Sequence, residues 1–452
     1  MEKIDVRECF PVMNGGDGVI LSKRGDVCYG WEVELPRVFR CNEERYDAIV
    51  QALFSAVTLL PDYTVVHKQD VYMKKKYVAE KSDGLLQEAY ERHFDGREYL
   101  DHRCRLFLIF SSKKNVRGAS SGLLGISAGG SMPKAEVLAR YAAMAEQFAT
   151  VVQGCGLLEM RRLTEDDIFG VGDFPGLIQD YLNFTDEGED VLSDIQMRRD
   201  RVRTGDRYIG CHLIADLDQL PAEVASCRKV TSLSTDSSAV NLSFLNEIGQ
   251  ELDCEHIVNH FILKEPQKDI HGELDTRRRQ MLSMAGRSAE NRMYSEELNE
   301  FLEETATEQM HTVRFHINVL AGGTADEFES VKDKVVSAVS RMGVTPVYDI
   351  YDTPCQFWAS IPGNEAGLAY QEYMTADLKV ALCMGIYDGF EPGVPDGVMK
   401  MSDRLRLVPQ RFDIQEKALE MGLIENYNVF LLGPSGSGKS FFMNKYLKSC
   451  YD

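Results

Sequence analysis

One stretch of eight residues constrains this chain more than any other: Gly433-Pro434-Ser435-Gly436-Ser437-Gly438-Lys439-Ser440. An apolar run, Asn428-Val-Phe-Leu-Leu432, leads into it. Its length and character suit a buried parallel strand. After it, Phe442, Met443, Tyr446, Leu447 and Cys450 recur at helical spacing. A strand, a glycine-rich loop closing on Gly-Lys-Ser, and a helix together form a nucleotide-phosphate site. Gly433, Gly436 and Gly438 let the backbone curl so that several N–H groups face phosphate oxygens. The helix starting at Lys439 adds its positive end beneath them. Lys439 supplies a charge for the β- and γ-phosphates of ATP or GTP, and the Ser440 hydroxyl a ligand for Mg²⁺.

Only twelve residues follow Ser440. A P-loop motor domain needs further parallel strands, one ending in the acid that holds Mg²⁺, and a group that orients the attacking water. None of these fits in the remainder, so no catalytic residue is assigned. The expectation is of a chain that stops after the first strand–loop–helix unit of its motor domain.

The rest reads as an α+β region of two subdomains. We divide it into residues 1–112, a Gly/Ser-rich linker at 113–133, and a second α+β region at 134–400. Residues 401–452 form the lead-in and the P-loop unit. Val27, Tyr29, Trp31, Val33 and Leu35 alternate as a strand. Asn42 can cap a helix bearing Tyr46, Ile49, Leu53, Ala56 and Leu60, ended by Pro61. Strands are expected at Tyr63–Val66 and Leu106–Phe110. A helix begins near Lys134 and stops at Gly154. Residues 266–310 are charged and helical in composition, which predicts a solvated hairpin or arm. Val313 to Val319 alternate as a strand, Thr324 with Glu327 suggests a capping box, and Phe328 to Met342 a helix stopped by Gly343. Val344–Tyr351 is then expected to return as a strand.

The balance of 50 Lys+Arg against 71 Asp+Glu gives −21. That excludes a uniformly basic nucleic-acid surface, though not a local basic groove. No secretory signal opens the chain, and no run reaches the ~20 apolar residues that span a bilayer. Eleven scattered cysteines without a C-x-x-C read as buried thiols in a reducing compartment. Cys254-x-His256-x-x-x-His260 has helical zinc spacing, but its apolar neighbours favour a strand, which would separate the histidines by about 13 Å. His67 is best placed at a strand end. Arg198, Arg199, Arg201 and Arg203, and Arg277 to Arg279, could meet nucleic acid or acidic headgroups, but read first as solvated helix faces. Glu165-Asp166-Asp167 after Thr164 reads as a helix first turn.

Three phrases resemble TraG-type ATPases of conjugative transposons, counterparts of the large ATPase of type IV secretion systems. They are Leu21-Ser-Lys-Arg-Gly-Asp26, Leu60-Pro-Asp-Tyr-Thr-Val-Val-His-Lys-Gln-Asp70 and Asn428 to Ser440. The resemblance implies an N-terminal assembly region followed by a RecA-like P-loop α/β ATPase domain using ATP and Mg²⁺. It also implies oligomerisation, other secretion or conjugation proteins as partners, and a place at the cytoplasmic face of the bacterial inner membrane. Contact with DNA would be indirect or confined to a full-length protein. The alternative is a non-hydrolysing scaffold that docks other secretion proteins. On either reading, residues 1–452 alone should show no steady ATP turnover. Phosphate release above that of a Lys439→Ala protein would contradict this.

Overall fold

The computed structural model describes residues 10–451 apart from 39–40, 82–84, 119–131, 173–174, 186–191, 215–219, 222, 232–239, 287, 309, 346, 348–351, 395, 404 and 423. It is a mixed α and β fold built on a large antiparallel sheet. In chain order its first half carries β1 (Val12–Asn14), β2 (Val19–Ser22), β3 (Val27–Glu34), α1 (Glu43–Leu59), β4 (Thr64–Lys76), α2 (Leu85–Phe94), β5 (Glu98–Phe110), α3 (Lys113–Arg117), α4 (Ala135–Gln153), β6 (Glu159–Arg162), α5 (Glu165–Phe169) and α6 (Leu177–Asn183). Then come β7 (Ile195–Arg198), β8 (Arg201–Thr204), β9 (Arg207–Ile214), β10 (Cys227–Val230), β11 (Val240–Ser243), β12 (Glu255–Lys264), α7 (Gln267–Met284), α8 (Ala289–Glu308) and β13 (Thr312–Gly323). The remainder is α9 (Phe328–Arg341), α10 (Thr353–Ala359), β14 (Met374–Asp377), α11 (Leu378–Cys383), β15 (Met399–Ser402), β16 (Pro409–Phe412), α12 (Glu416–Glu420) and α13 (Lys439–Tyr451).

The chain divides into two compact units that do not follow sequence order. The first holds Met1–Met73 and His102–Gly389, the second Lys74–Asp101 and Phe390–Asp452. In the first, strands run in the order β1-β2-β3-β5-β4-β12-β13-β9-β8-β7, with β14 beside β13 and β6 beside β3. The helix signals hold where caps and apolar faces agree. The Asn42 side chain accepts from the Arg45 N–H at 3.2 Å, and Tyr46, Ile49, Leu53 and Ala56 are buried. Thr164 and Asp167 form a reciprocal capping box at the start of α5. At Thr324 the Glu327 carboxylate accepts from the Thr324 N–H at 3.0 Å. Gly343 follows α9 with φ +78, a left-handed stop. The arm expected at 266–310 is the hairpin α7–α8.

At the sheet's centre β12 and β13 are buried along nearly their whole lengths, yet carry many polar residues. On one face Asn259 sits between Gln69 and Asn318, and Phe261 between His67 and His316. His67 bonds Glu365 at 2.9 Å and Asn259 at 3.0 Å, and Asn259 donates to Asn318 at 2.8 Å. On the other face Lys68 pairs with Asp70 at 2.6 Å, and His102 reaches Asp70 at 3.0 Å. Tyr72 stacks between His102 and His256, with ring centroids at 4.2 and 4.5 Å. Burial alone would push the Asp70 carboxyl up, but Lys68 and His102 outweigh it and hold it below the usual carboxylate range.

Several expectations need correction. His67 lies inside β4, not at a strand end, because Lys68 and Asp70 neutralise each other and the strand continues through them. Arg198, Arg201 and Arg203 lie on the β7–β8 hairpin rather than a helix. Arg201 there covers the Phe328 ring at 4.9 Å and Arg203 the Tyr208 ring at 5.3 Å. Residues 113–117, assigned to a linker, form α3, capped by Ser112; 119–131 lie outside the described residues. Most of the strand expected at Val344–Tyr351 also lies outside them, and residues 344, 345 and 347 are not strand. The described cysteines are all free, and Cys28, Cys41, Cys104, Cys211, Cys227 and Cys254 are buried. Cys254, His256 and His260 lie at or in β12, with the His256 Nδ1–H donating to the Cys254 carbonyl at 2.8 Å. The described residues contain no group of three His, Cys, Asp or Glu able to hold a metal.

The hairpin α7–α8 is fixed at its base. The buried Glu265 carboxylate accepts from Arg117 Nε at 2.9 Å, Arg314 Nε at 2.8 Å and the Tyr370 hydroxyl at 2.8 Å. Glu273, on α7, accepts from Arg117 at 2.6 Å and also pairs with Arg314.

Burial pushes His256 and His316 down to about 4 and His260 to about 3. Unfolded, each would titrate near 6.5. The unfolded chain therefore binds more protons as pH falls from about 6.5 to 4, and stability should fall with it. Each histidine adds at most about 1.4 kcal/mol per pH unit to that slope. Glu365, raised by burial, acts in the opposite sense. Urea unfolding across this range should show the slope, and His256→Phe should flatten it by about one proton; an unchanged slope would contradict the assignment.

Candidate functional site: the phosphate loop

The second unit joins the part of the chain before the loop to residues 74–101. Lys400, on β15, is buried and donates to Glu91 of α2 at 2.7 Å; Glu80 lies 3.0 Å away. The Tyr77 hydroxyl donates to the same Glu91 at 2.7 Å. Arg411 of β16 pairs with Glu80 at 2.5 Å, and Arg97 donates to the Leu407 carbonyl at 3.0 Å. No local pattern in the sequence singles out Lys400 or Glu91. Their significance comes from a pairing more than 300 positions apart.

The loop helix α13 rests on this unit through its later turns. Lys445 Nζ donates to the Lys400 carbonyl at 2.6 Å and lies 4.6 Å over the Tyr90 ring. Tyr446 is buried. Ahead of the loop the expectation fails: Asn428–Leu432 is not a strand. Phe430 is 88% exposed and Leu432 82%. An apolar run becomes a buried strand only when neighbouring strands take its backbone hydrogen bonds and cover its side chains. In the described structure no strand pairs with these residues.

The loop itself keeps the features that phosphate requires. Gly436 and Gly438 have φ of +82 and +86, which side chains resist. A Cβ at Gly433 would lie 2.5 Å from Ser437 Oγ. The Ser437 N–H donates to the Pro434 carbonyl at 3.3 Å, and the Phe442 N–H to the Gly438 carbonyl at 2.9 Å as the helix begins. Among the described residues the amides of Gly436, Gly438, Lys439 and Ser440 have no internal acceptor, so they remain available to an anion. Lys439 folds over the loop, Nζ donating to the carbonyls of Gly433 at 2.7 Å and Pro434 at 2.6 Å. Ser435 and Ser440 are exposed, and no acid lies in the helix's first turn to repel phosphate.

Free amides, positive-φ glycines, a helix N-terminus and a lysine fit a nucleotide's phosphates, and Ser440 offers one Mg²⁺ ligand. They define the phosphate-binding corner of a P-loop nucleotide-binding domain. The TraG P-loop domain family model matches residues 398–452. This stretch is accordingly similar to the P-loop domain of TraG proteins. The match begins inside the second unit and does not reach the phrases at 21–26 and 60–70. No curated protein matches the chain.

Proposed function

We propose that this chain belongs to a conjugation ATPase, with ATP·Mg²⁺ held at Gly433–Ser440 in a domain that becomes RecA-like once further parallel strands pair with Asn428–Leu432. The observation that carries this reading is the loop geometry inside the segment matched by the TraG P-loop domain. Residues Gly433, Pro434, Ser435, Gly436, Ser437 and Gly438 would wrap the phosphates, the amides through Ser440 would donate to them, and Lys439 would leave its own carbonyls to neutralise them. Bound ATP supplies a phosphoanhydride whose cleavage can drive transfer of DNA or assembly of a pilus. The sheet unit serves as the assembly region toward other type IV secretion proteins and further copies of the chain. No described helix is long and apolar enough to cross a membrane. Association with the bacterial inner membrane is therefore proposed to be peripheral.

The test uses the chain extended through a complete motor domain. Lys439→Ala removes a charge-assisted contact and should weaken ATP·Mg²⁺ binding roughly ten- to a hundredfold. It should abolish transfer in cells and leave unfolding of the sheet unit unchanged, because Lys439 packs in no core. Undiminished transfer by Lys439→Ala would overturn the motor reading in favour of a nucleotide-free scaffold.

A further inference from the structure

The helix that carries the phosphate loop is held along one face. Lys439, Phe442, Lys445, Tyr446 and Ser449 of α13 are wholly or partly covered and share one side of the helix. Away from that side Phe441 is 76% exposed and Leu447 59%. Tyr446 is the one side chain of α13 that is fully buried among the described residues. Apolar burial therefore supplies only part of the seat, and the rest is polar and directional. Lys445 Nζ donates to the Lys400 carbonyl at 2.6 Å and stands 4.6 Å over the Tyr90 ring.

Both anchors belong to one rigid assembly. Tyr90 lies on α2, and Lys400 of β15 is tied to α2 by Glu91 at 2.7 Å, both groups being buried. The Tyr77 hydroxyl donates to the same carboxylate at 2.7 Å and the Glu80 amide at 3.1 Å. Burial alone would push the Glu91 carboxyl up, but Lys400 and Tyr77 outweigh it and hold it below the usual range. The pair is therefore ionic, and displacing either partner would leave a buried charge uncompensated. Such a pair resists small movements that apolar surface would tolerate. In the chain, residues 77–97 stand between β4 and β5 and outside the matched segment 398–452.

The seat lies two turns beyond Lys439, roughly 10 Å along the helix. A tilt of about 10° around it would carry the loop amides roughly 2 Å. Amide hydrogen bonds to phosphate oxygens hold only over about 2.7–3.2 Å. On the loop's other side, Asn428–Leu432 pairs with no strand among the described residues, so the aim of the loop falls to α13 and its seat. We propose that Lys445 is a positioning residue for phosphate binding, through which the segment between β4 and β5 aims the loop. The site is then incomplete without Tyr90 and Glu91, the latter 309 positions from its partner Lys400. The proposal rests on the nucleotide reading of Gly433–Ser440 and adds the element that sets its geometry.

The test is titration of ATP·Mg²⁺ at millimolar concentrations into glycine-labelled 1–452 protein, read on the Gly436 and Gly438 amide resonances. In the parent these should move, and Lys439→Ala should abolish the movement. Lys445→Met should weaken binding about tenfold, the value of one charge-assisted hydrogen bond. Lys445→Arg can still donate to a carbonyl and lie on a ring, and should restore binding to within about threefold of the parent. Glu91→Leu/Lys400→Met replaces the buried pair with apolar groups of similar size, which keeps the fold. It should weaken binding by about as much as Lys445→Met. Leu447→Gln, on the uncovered side of the helix, should leave binding unchanged. The other glycine resonances should stay in place in every variant. Parent affinity in Lys445→Met, or a loss that Lys445→Arg fails to restore, would overturn the positioning role and leave the nucleotide site standing. Parent affinity in Glu91→Leu/Lys400→Met would overturn the part given to the β4–β5 segment. A parent whose loop resonances show no Lys439-dependent movement would overturn phosphate binding by this chain, and the proposal with it.

Discussion

A polar group taken out of water must find a partner inside the protein, and the central strands β4, β12 and β13 are organised around that requirement. Their partnered side chains include His67, Gln69, Asn259, His316 and Asn318 on one face and Lys68, Asp70 and His256 on the other. An apolar ladder of this length would hold together through burial alone in many registers. Here a slip of one residue would carry His67 away from Glu365 and Asn259 away from both Gln69 and Asn318. It would leave several buried donors and acceptors without partners, at about 1–3 kcal/mol each. Register is thus set by hydrogen bonds, and the surrounding elements are placed by it. Gln356 of α10 reaches His316 at 2.9 Å, and Glu365 closes the network from the loop that follows.

The phosphate loop shows the converse case. Its glycines, lysine and helix start depend on local backbone conformation, so they form within a short stretch. The strand before it depends on neighbours. Val429 to Leu432 have the composition of a core strand but lie exposed, because a single strand has no hydrogen-bond partner and no covering layer. The helix after the loop is steadied from another direction, through Lys445 and Tyr446 against the unit that contains Lys400 and Glu91.

What could be read from residues alone follows the same division. Signals confined to one turn or one face were legible: Asn42 with the α1 face, Thr164 with Asp167, the α7–α8 hairpin, and Gly433 to Ser440. Signals that depend on a distant partner were not. Polar Lys68 and Asp70 look like a strand's end, yet they neutralise each other and β4 runs on to Lys76. The arginines from 198 to 203 look like a helix face, yet Arg198, Arg201 and Arg203 belong to a hairpin, with Arg201 and Arg203 over rings supplied by α9 and β9. The union of residues 74–101 with 390–452 is held by Lys400 with Glu91 and Arg411 with Glu80, for which neither segment's own pattern gives a sign.

The central claim is that Gly433–Ser440, proposed above to hold phosphate, is not backed by a paired strand at Asn428–Leu432 among the described residues. A nucleotide would then have to hold the loop in that shape at its own expense, at about 1–2 kcal/mol for each residue fixed. Four residues would cost about 4–8 kcal/mol, roughly a thousandfold or more in affinity. Calorimetric titration of ATP·Mg²⁺ into residues 1–452 tests this most directly. The account predicts no binding tighter than millimolar. Micromolar affinity, lost in Lys439→Ala, would show that the loop is already held in its working shape and would contradict the claim.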